Sequence, residues 1–100
     1  MAKSVRNIKA RITLLTSKEG GRSTPANSGY RPQFCYDRQH WDAAIELIEQ
    51  EQISPGESAE VYFQFTKPEI HRKKLHQGKK FQLKEGATTI ANGVVLEIIN

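Results

Sequence analysis

The sequence predicts an all-β domain, folded as an antiparallel sandwich or a small closed barrel. Three observations carry that prediction. Segments in which apolar and polar residues alternate recur along the 100 residues. Turn residues separate them at short intervals, with no strand–helix–strand rhythm. The chain is also small, and closing the sheet of a small protein removes the strand edges that would otherwise be exposed.

The first strand is expected over Lys9 to Thr16, where Ala10, Ile12 and Leu14 alternate with Arg11 and Thr13. Residues 1–8 are expected to form an N-terminal extension and 9–100 a single barrel domain. Ser17 to Gly29 is rich in Gly, Ser, Thr, Asn and Pro and has no apolar run, so it is a loop. Its 13 residues exceed the usual connection length, which favours a functional role. Tyr30 to Tyr36 is extended, with Arg31 pushed toward β or polyproline geometry by Pro32. Asp37 to Ile53 carries two signals. Trp41, Ala44, Ile45 and Ile48 fall at helical spacing among good helix formers, while Trp41, Ala43, Ile45 and Leu47 alternate. Local rules favour the helix. Ser54-Pro55-Gly56-Glu57 predicts a type II turn, because Pro presets its second position and Gly takes positive φ at the third. Ser58 to Thr66 alternates, with Val61, Phe63 and Phe65 on one face, and Lys67-Pro68 ends it. Glu69 to Gly78 is polar and basic. Lys80 to Glu85 is a short strand carrying Phe81 and Leu83, Gly86-Ala87 a turn, and Thr88 to Ile99 the last strand. Within it, Asn92-Gly93 marks a bulge or a close backbone approach.

Hydrophobic residues at 37% and charged residues at 26% supply one thin core. No run approaches the roughly 20 apolar residues of a membrane span. The opening Met-Ala-Lys-Ser-Val-Arg is unlike a signal peptide, so a cytoplasmic setting without membrane association is expected. The single cysteine, Cys35, excludes an intrachain disulfide and a cysteine-based zinc site. The net charge of +4 is uneven: +6 over Met1 to Arg31, −6 over Pro32 to Thr66, +6 over Lys67 to Lys84 and −2 thereafter. Brought together by the fold, the two basic segments would attract phosphate. Kept apart, they are solvated faces.

The chemistry of a catalytic site is missing. Glu19 to Thr24 is Gly-rich but lacks the lysine and spacing of a phosphate loop, and there is no HExxH or CxxC. His71 and His76 stand among cations that would oppose a metal, so they read as surface histidines, and His40 has no partner in sequence. Cys35 reads as a buried structural thiol. No catalytic residue, metal or cofactor is expected, and the chain is not expected to be an enzyme.

Glu-Gly-Gly-Arg-Ser-Thr-Pro at 19–25 and Gly-Tyr-Arg-Pro-Gln-Phe at 29–34 resemble the third, C-terminal domain of elongation factor Tu. The likeness continues through Pro55-Gly56, Lys67-Pro68 and Lys84-Glu85-Gly86 to Gly93-Val94-Val95, nearly the whole chain. It implies a six-stranded antiparallel closed β-barrel. It recasts Trp41 to Ile45 as a strand and leaves room for a short helical turn near 47–51. A stand-alone relative of that one domain is expected, without the nucleotide-binding and middle domains of the factor. In that family the third domain holds the T-stem backbone of tRNA and meets the GTPase domain and the exchange factor. The positions in matching motifs are Arg22, Arg31, Gln33, Lys67, Glu85 and Gly86. Arg and Lys suit phosphates, Gln suits phosphate or ribose, and Glu85 could accept from a 2′-hydroxyl. A glycine at 86 lets backbone approach a ligand.

Each type also has a purely structural use. Arg22 can bond loop carbonyls, Arg31 and Gln33 can pair with barrel carboxylates, Lys67 can simply face solvent, and Gly86 can serve its turn. This sequence also departs from the family pattern. Ser23 replaces a usual His, and Ala87, Thr88 and Ala91 replace Gly, Arg and Gly, which removes a cation beside Gly86. Two functions follow: weak binding of tRNA or similarly structured RNA, or docking on a translation GTPase or another protein without RNA.

Overall fold

The computed structural model describes residues 6–99. Alternation becomes strand almost everywhere it occurs. β1 (Ile8–Leu14) is followed by a 3₁₀ turn at Ser17–Glu19 and the two-residue β2 (Ala26–Asn27). β3 (Gln33–Tyr36) and β4 (Gln39–Leu47) make a tight hairpin, and β5 (Gln52–Ile53) pairs with β2. β6 (Ser58–Phe65), the short α1 (Pro68–His71), β7 (Lys80–Glu85) and β8 (Thr88–Ile98) follow. Six strands close an antiparallel barrel in the order β1-β6-β4-β3-β7-β8, and β8 pairs back onto β1. At Ser54–Glu57 the Glu57 amide donates to the Ser54 carbonyl and Gly56 sits at φ 88°, as a type II turn requires.

Phe34 lies at the centre of the core. Its ring stacks on Phe81 at 4.1 Å and meets Phe63 and Phe65 edge-on, each at 5.0 Å. Phe81 is the reason for Gly93. A Cβ there would stand 2.3 Å from the Phe81 ring, so Asn92-Gly93 is a close approach and not a bulge. The register slips elsewhere, leaving Leu96 unmatched opposite Lys9/Ala10 and Ile90 unmatched opposite Leu83/Lys84.

The helix that local propensity favours over 37–53 does not form. Gln39 to Asp42 pair with β3 and Ala43 to Leu47 pair with β6, and only a strand can present both edges. The same strand puts Ala43, Ile45 and Leu47 into the core. The helical turn near 47–51 is absent too. The chain bends there and runs on so that Ile53 can be buried. β3 and β4 are joined by Asp37 at φ 50° and Arg38 at φ 63°. Two left-handed residues in succession make a type I′ turn, whose twist matches that of the hairpin.

Of the expected extension over 1–8, residues 1–5 lie outside the described residues, and Ile8 opens β1. Asn7 is buried and donates from its amide to Phe63, and its side-chain oxygen accepts from the Phe65 amide at 2.8 Å. Its carbonyl accepts from Ile99, so Asn7 fastens β6 to the end of β8.

His71 is a clearer correction. It is 3% exposed, not a surface residue. The turn of α1 lays its ring on Phe65 at 4.0 Å and edge-on to Trp41 at 4.9 Å. Its Nδ1 lies 2.5 Å from the Tyr36 hydroxyl, which gives the buried imidazole a partner. Burial, then the charge of Lys74, pulls its pKa down to about 4, so the ring is neutral at pH 7.

Candidate nucleic-acid interface

The long loop before β3 is held rigidly. Thr16 and Glu19 cap the 3₁₀ turn reciprocally, and Gly20 ends it at φ 90°. The next glycine passes so near Leu15 that a Cβ would meet its carbonyl oxygen at 2.5 Å. That tight fold turns Arg22 back over the loop. Its Nε donates to the Thr24 carbonyl at 3.2 Å and Nη2 to the Pro25 carbonyl at 3.2 Å, while Nη1 binds the Glu85 carboxylate. The guanidinium also lies 4.6 Å over the Tyr30 ring, and the Tyr30 hydroxyl donates to the same Glu85 carboxylate. Burial and that carboxylate hold the Tyr30 hydroxyl protonated well above its ordinary range. Gly86 follows directly at φ 60°, with open space where a side chain would be.

Beyond the loop, residues 28–30 are bonded along the free edge of β4. Gly29 donates to Ile45 at 2.8 Å, Ile45 donates to Tyr30 at 2.9 Å, and Leu47 donates to the Ser28 hydroxyl at 2.9 Å. Arg31 therefore has a fixed starting point. It is exposed and donates to the Thr66 hydroxyl at 3.2 Å. Gln33 sits across from Asp42 and Lys84, and its Oε1 lies 3.2 Å from His40 Nδ1. Lys67 is exposed ahead of α1 and has no ion-pair partner among the described residues. Gln33, Thr66 and Lys67 line one cavity of about 240 Å³ with Trp41 and His71. The Trp41 indole N–H beside it is buried without an acceptor among the described residues.

The six motif positions thus fall into two adjoining groups. Arg22, Glu85 and Gly86 form a knot tied through Tyr30, and Arg31, Gln33 and Lys67 gather around Thr66. Arg22 does bond loop carbonyls, but among the described residues Arg31 and Gln33 bond no carboxylate.

A larger cavity involves none of the six. It is a groove of about 740 Å³ on the outside of the barrel, over β1, β8, β7 and β3. Arg11 from the first basic segment and Lys80 and Lys84 from the second line it, so the fold does bring parts of the two together, and Arg38 from the acidic segment joins them. The single acid in its lining, Asp37, is engaged by Lys79 at 2.7 Å. Cys35 forms part of the wall, with its Sγ 3.3 Å from His40 Nδ1. Burial pushes the thiol pKa up against the pull of Lys84, which favours the thiol over the thiolate. A signal for the groove exists in the sequence. Lys80, Gln82 and Lys84, like Arg11 and Thr13, are the polar halves of the alternations that mark the core. What local pattern cannot supply is that β8 lies between β1 and β7.

Among the described residues no three His, Cys, Asp or Glu side chains gather into a metal site. No helix among them is long and apolar enough to cross a membrane. The family model of the elongation factor Tu C-terminal domain matches residues 1–99.

Proposed function

Because the chain belongs to the elongation factor Tu C-terminal domain family, and so is a translation-factor-like module, we propose that it binds the backbone of tRNA-like RNA weakly, in the cytoplasm and without catalysis. The observation that carries this reading is the pair of cations at Thr66. Arg31 bonds its hydroxyl, Lys67 follows it in the chain, and both are exposed and form no ion pair among the described residues, although Asp42 lines the same cavity as Lys67. Such cations meet phosphates at little cost in broken ion pairs. Gln33 beside them suits a phosphate or ribose oxygen. Arg22 holds the neighbouring loop in place, while the Oε1 of Glu85 is left for a 2′-hydroxyl and Gly86 for close backbone approach. Weak affinity follows from the small number of contacts.

The test is fluorescence anisotropy with labelled tRNA across a salt series. Binding should weaken steeply with salt, and Arg31→Ala with Lys67→Ala should lower the log–log salt slope by about two. An unchanged slope, or no binding by the wild type at low salt, overturns the reading. In that case a protein partner recovered after nuclease treatment would support docking on a translation GTPase or another protein.

A further inference from the structure

Arg11, Arg38, Lys80 and Lys84 gather at one groove and none is ion-paired among the described residues. Elsewhere on the barrel Arg6, Lys9 and Arg22 each hold a glutamate. Four like charges around one concave surface raise the local potential, and the lone acid there is already engaged by Lys79. An anion from outside supplies what the fold does not.

The floor narrows the kind of anion. Thr13, Asn92 and Gln82 stand in one cross-strand row on the outer face, and Gln82 reaches the Asn92 side chain at 3.4 Å. Hydroxyls and amides of this kind bond phosphate oxygens and ribose hydroxyls. The aromatic faces on offer are few: Tyr36 and Phe81 are 5% and 4% exposed and turned into the core, which leaves the exposed imidazole of His40. One small ring is a poor platform for successive unstacked bases, which favours the backbone of a duplex over a single strand as the ligand.

The geometry points to the outer groove as a second contact surface for the phosphodiester backbone of double-helical RNA, held by Arg11, Arg38, Lys80 and Lys84. This rests on the RNA-binding reading above and extends it round the barrel. The two surfaces are continuous, because Gln33 and Lys84 are cross-strand partners and His40 lines both the groove and the Thr66–Lys67 cavity.

The experiment measures binding of a fluorescein-labelled RNA duplex of about 16 base pairs across a salt series. Four variants are compared with the wild type: the groove variant (Arg11→Ala, Arg38→Asn, Lys80→Ala, Lys84→Ala), Lys80→Glu alone, Lys80→Arg with Lys84→Arg, and Arg31→Ala with Lys67→Ala. Asparagine is chosen at 38 because it tolerates positive φ. The groove variant should lose about three to four from the log–log salt slope and bind at least about tenfold more weakly at moderate salt. The exposed Lys80→Glu should weaken binding in the same direction even if the fourfold variant folds poorly, and the charge-preserving Lys80→Arg with Lys84→Arg should keep the wild-type slope. If both groove variants bind like the wild type while the Arg31/Lys67 variant is impaired, the groove proposal falls and the motif-based reading stands. If only the groove variants are impaired, the groove stands and the motif residues lose their role. Binding of polyglutamate as tightly as RNA overturns the assignment of the groove to RNA.

Discussion

Lys80 and Phe81 are adjacent in the chain and meet opposite surroundings. Inside the barrel, Phe81 packs on Phe34 so closely that Gly93 can carry no side chain. Asn7 and His71, the polar residues buried there, bring partners, the Phe65 amide and the Tyr36 hydroxyl, whereas the indole N–H of the half-buried Trp41 has no acceptor among the described residues. Outside, Lys80 shares its groove with three other cations and no available carboxylate. The same alternation that saturates one face leaves the other unsatisfied. Stability and recognition are thus carried by alternate residues of the same strands, and they should respond to mutation almost independently.

Three measurements test whether the two faces act independently. The largest effect is expected from Phe34→Ala, which removes the ring that touches all its aromatic neighbours. About 4 kcal/mol of unfolding free energy should be lost in urea titration, out of the roughly 5–15 kcal/mol such a domain has. A loss under about 1 kcal/mol would show that the interior is not one packed unit. Next comes the buried imidazole. Its pKa is about 4 in the fold, against about 6.5 in an unfolded chain. The lowered value means the fold prefers the neutral ring, so its contribution is full above pH 6.5 and is lost as pH falls from 6.5 to 4. Over that window the wild type should lose up to about 3 kcal/mol more than His71→Phe. Parallel pH profiles of the two proteins would contradict the buried, neutral histidine. The smallest effect is expected from Lys80→Ala with Lys84→Ala, within about 0.5 kcal/mol of wild-type stability. A loss above about 1 kcal/mol would mean that the outer face also holds the barrel together.

Most strands were legible in the sequence because period-two alternation survives wherever one face is buried. β6 and β7 are the plainest cases, and the register of Val61, Phe63 and Phe65 follows directly. β4 was not legible locally. Its Glu, Gln, Ala and Leu content suits a helix, and what overrides it is pairing with β6, whose partners lie about twenty residues away. Only the motif resemblance recovered it. The Asp37-Arg38 turn was hidden for another reason: arginine has no preference for positive φ, so nothing in the dipeptide announces a type I′ turn. His71 was misread from its basic neighbours. The His71–Leu75 spacing, one helical turn with both residues buried, was the available clue to a covered face. Of the candidate site, the motif residues were readable by resemblance, but the tie between Arg22, Tyr30 and Glu85 joins loops more than fifty residues apart and needed the fold.

Ring closure has a kinetic side. β1 lies between β6 and β8, so neither of its hydrogen-bonded edges is satisfied by a sequence neighbour. β1 must wait for β6 on one side and for β8, more than seventy residues further along, on the other. Folding dominated by such distant pairings is slow, on the order of milliseconds to seconds, because loop entropy is lost before the contacts that reward it form. Until β8 arrives, β1 and β7 each present an open edge able to capture a strand from another molecule. The interval before closure is therefore when this protein is most exposed to aggregation, and the pairing of Ala10 with Val95 marks its end.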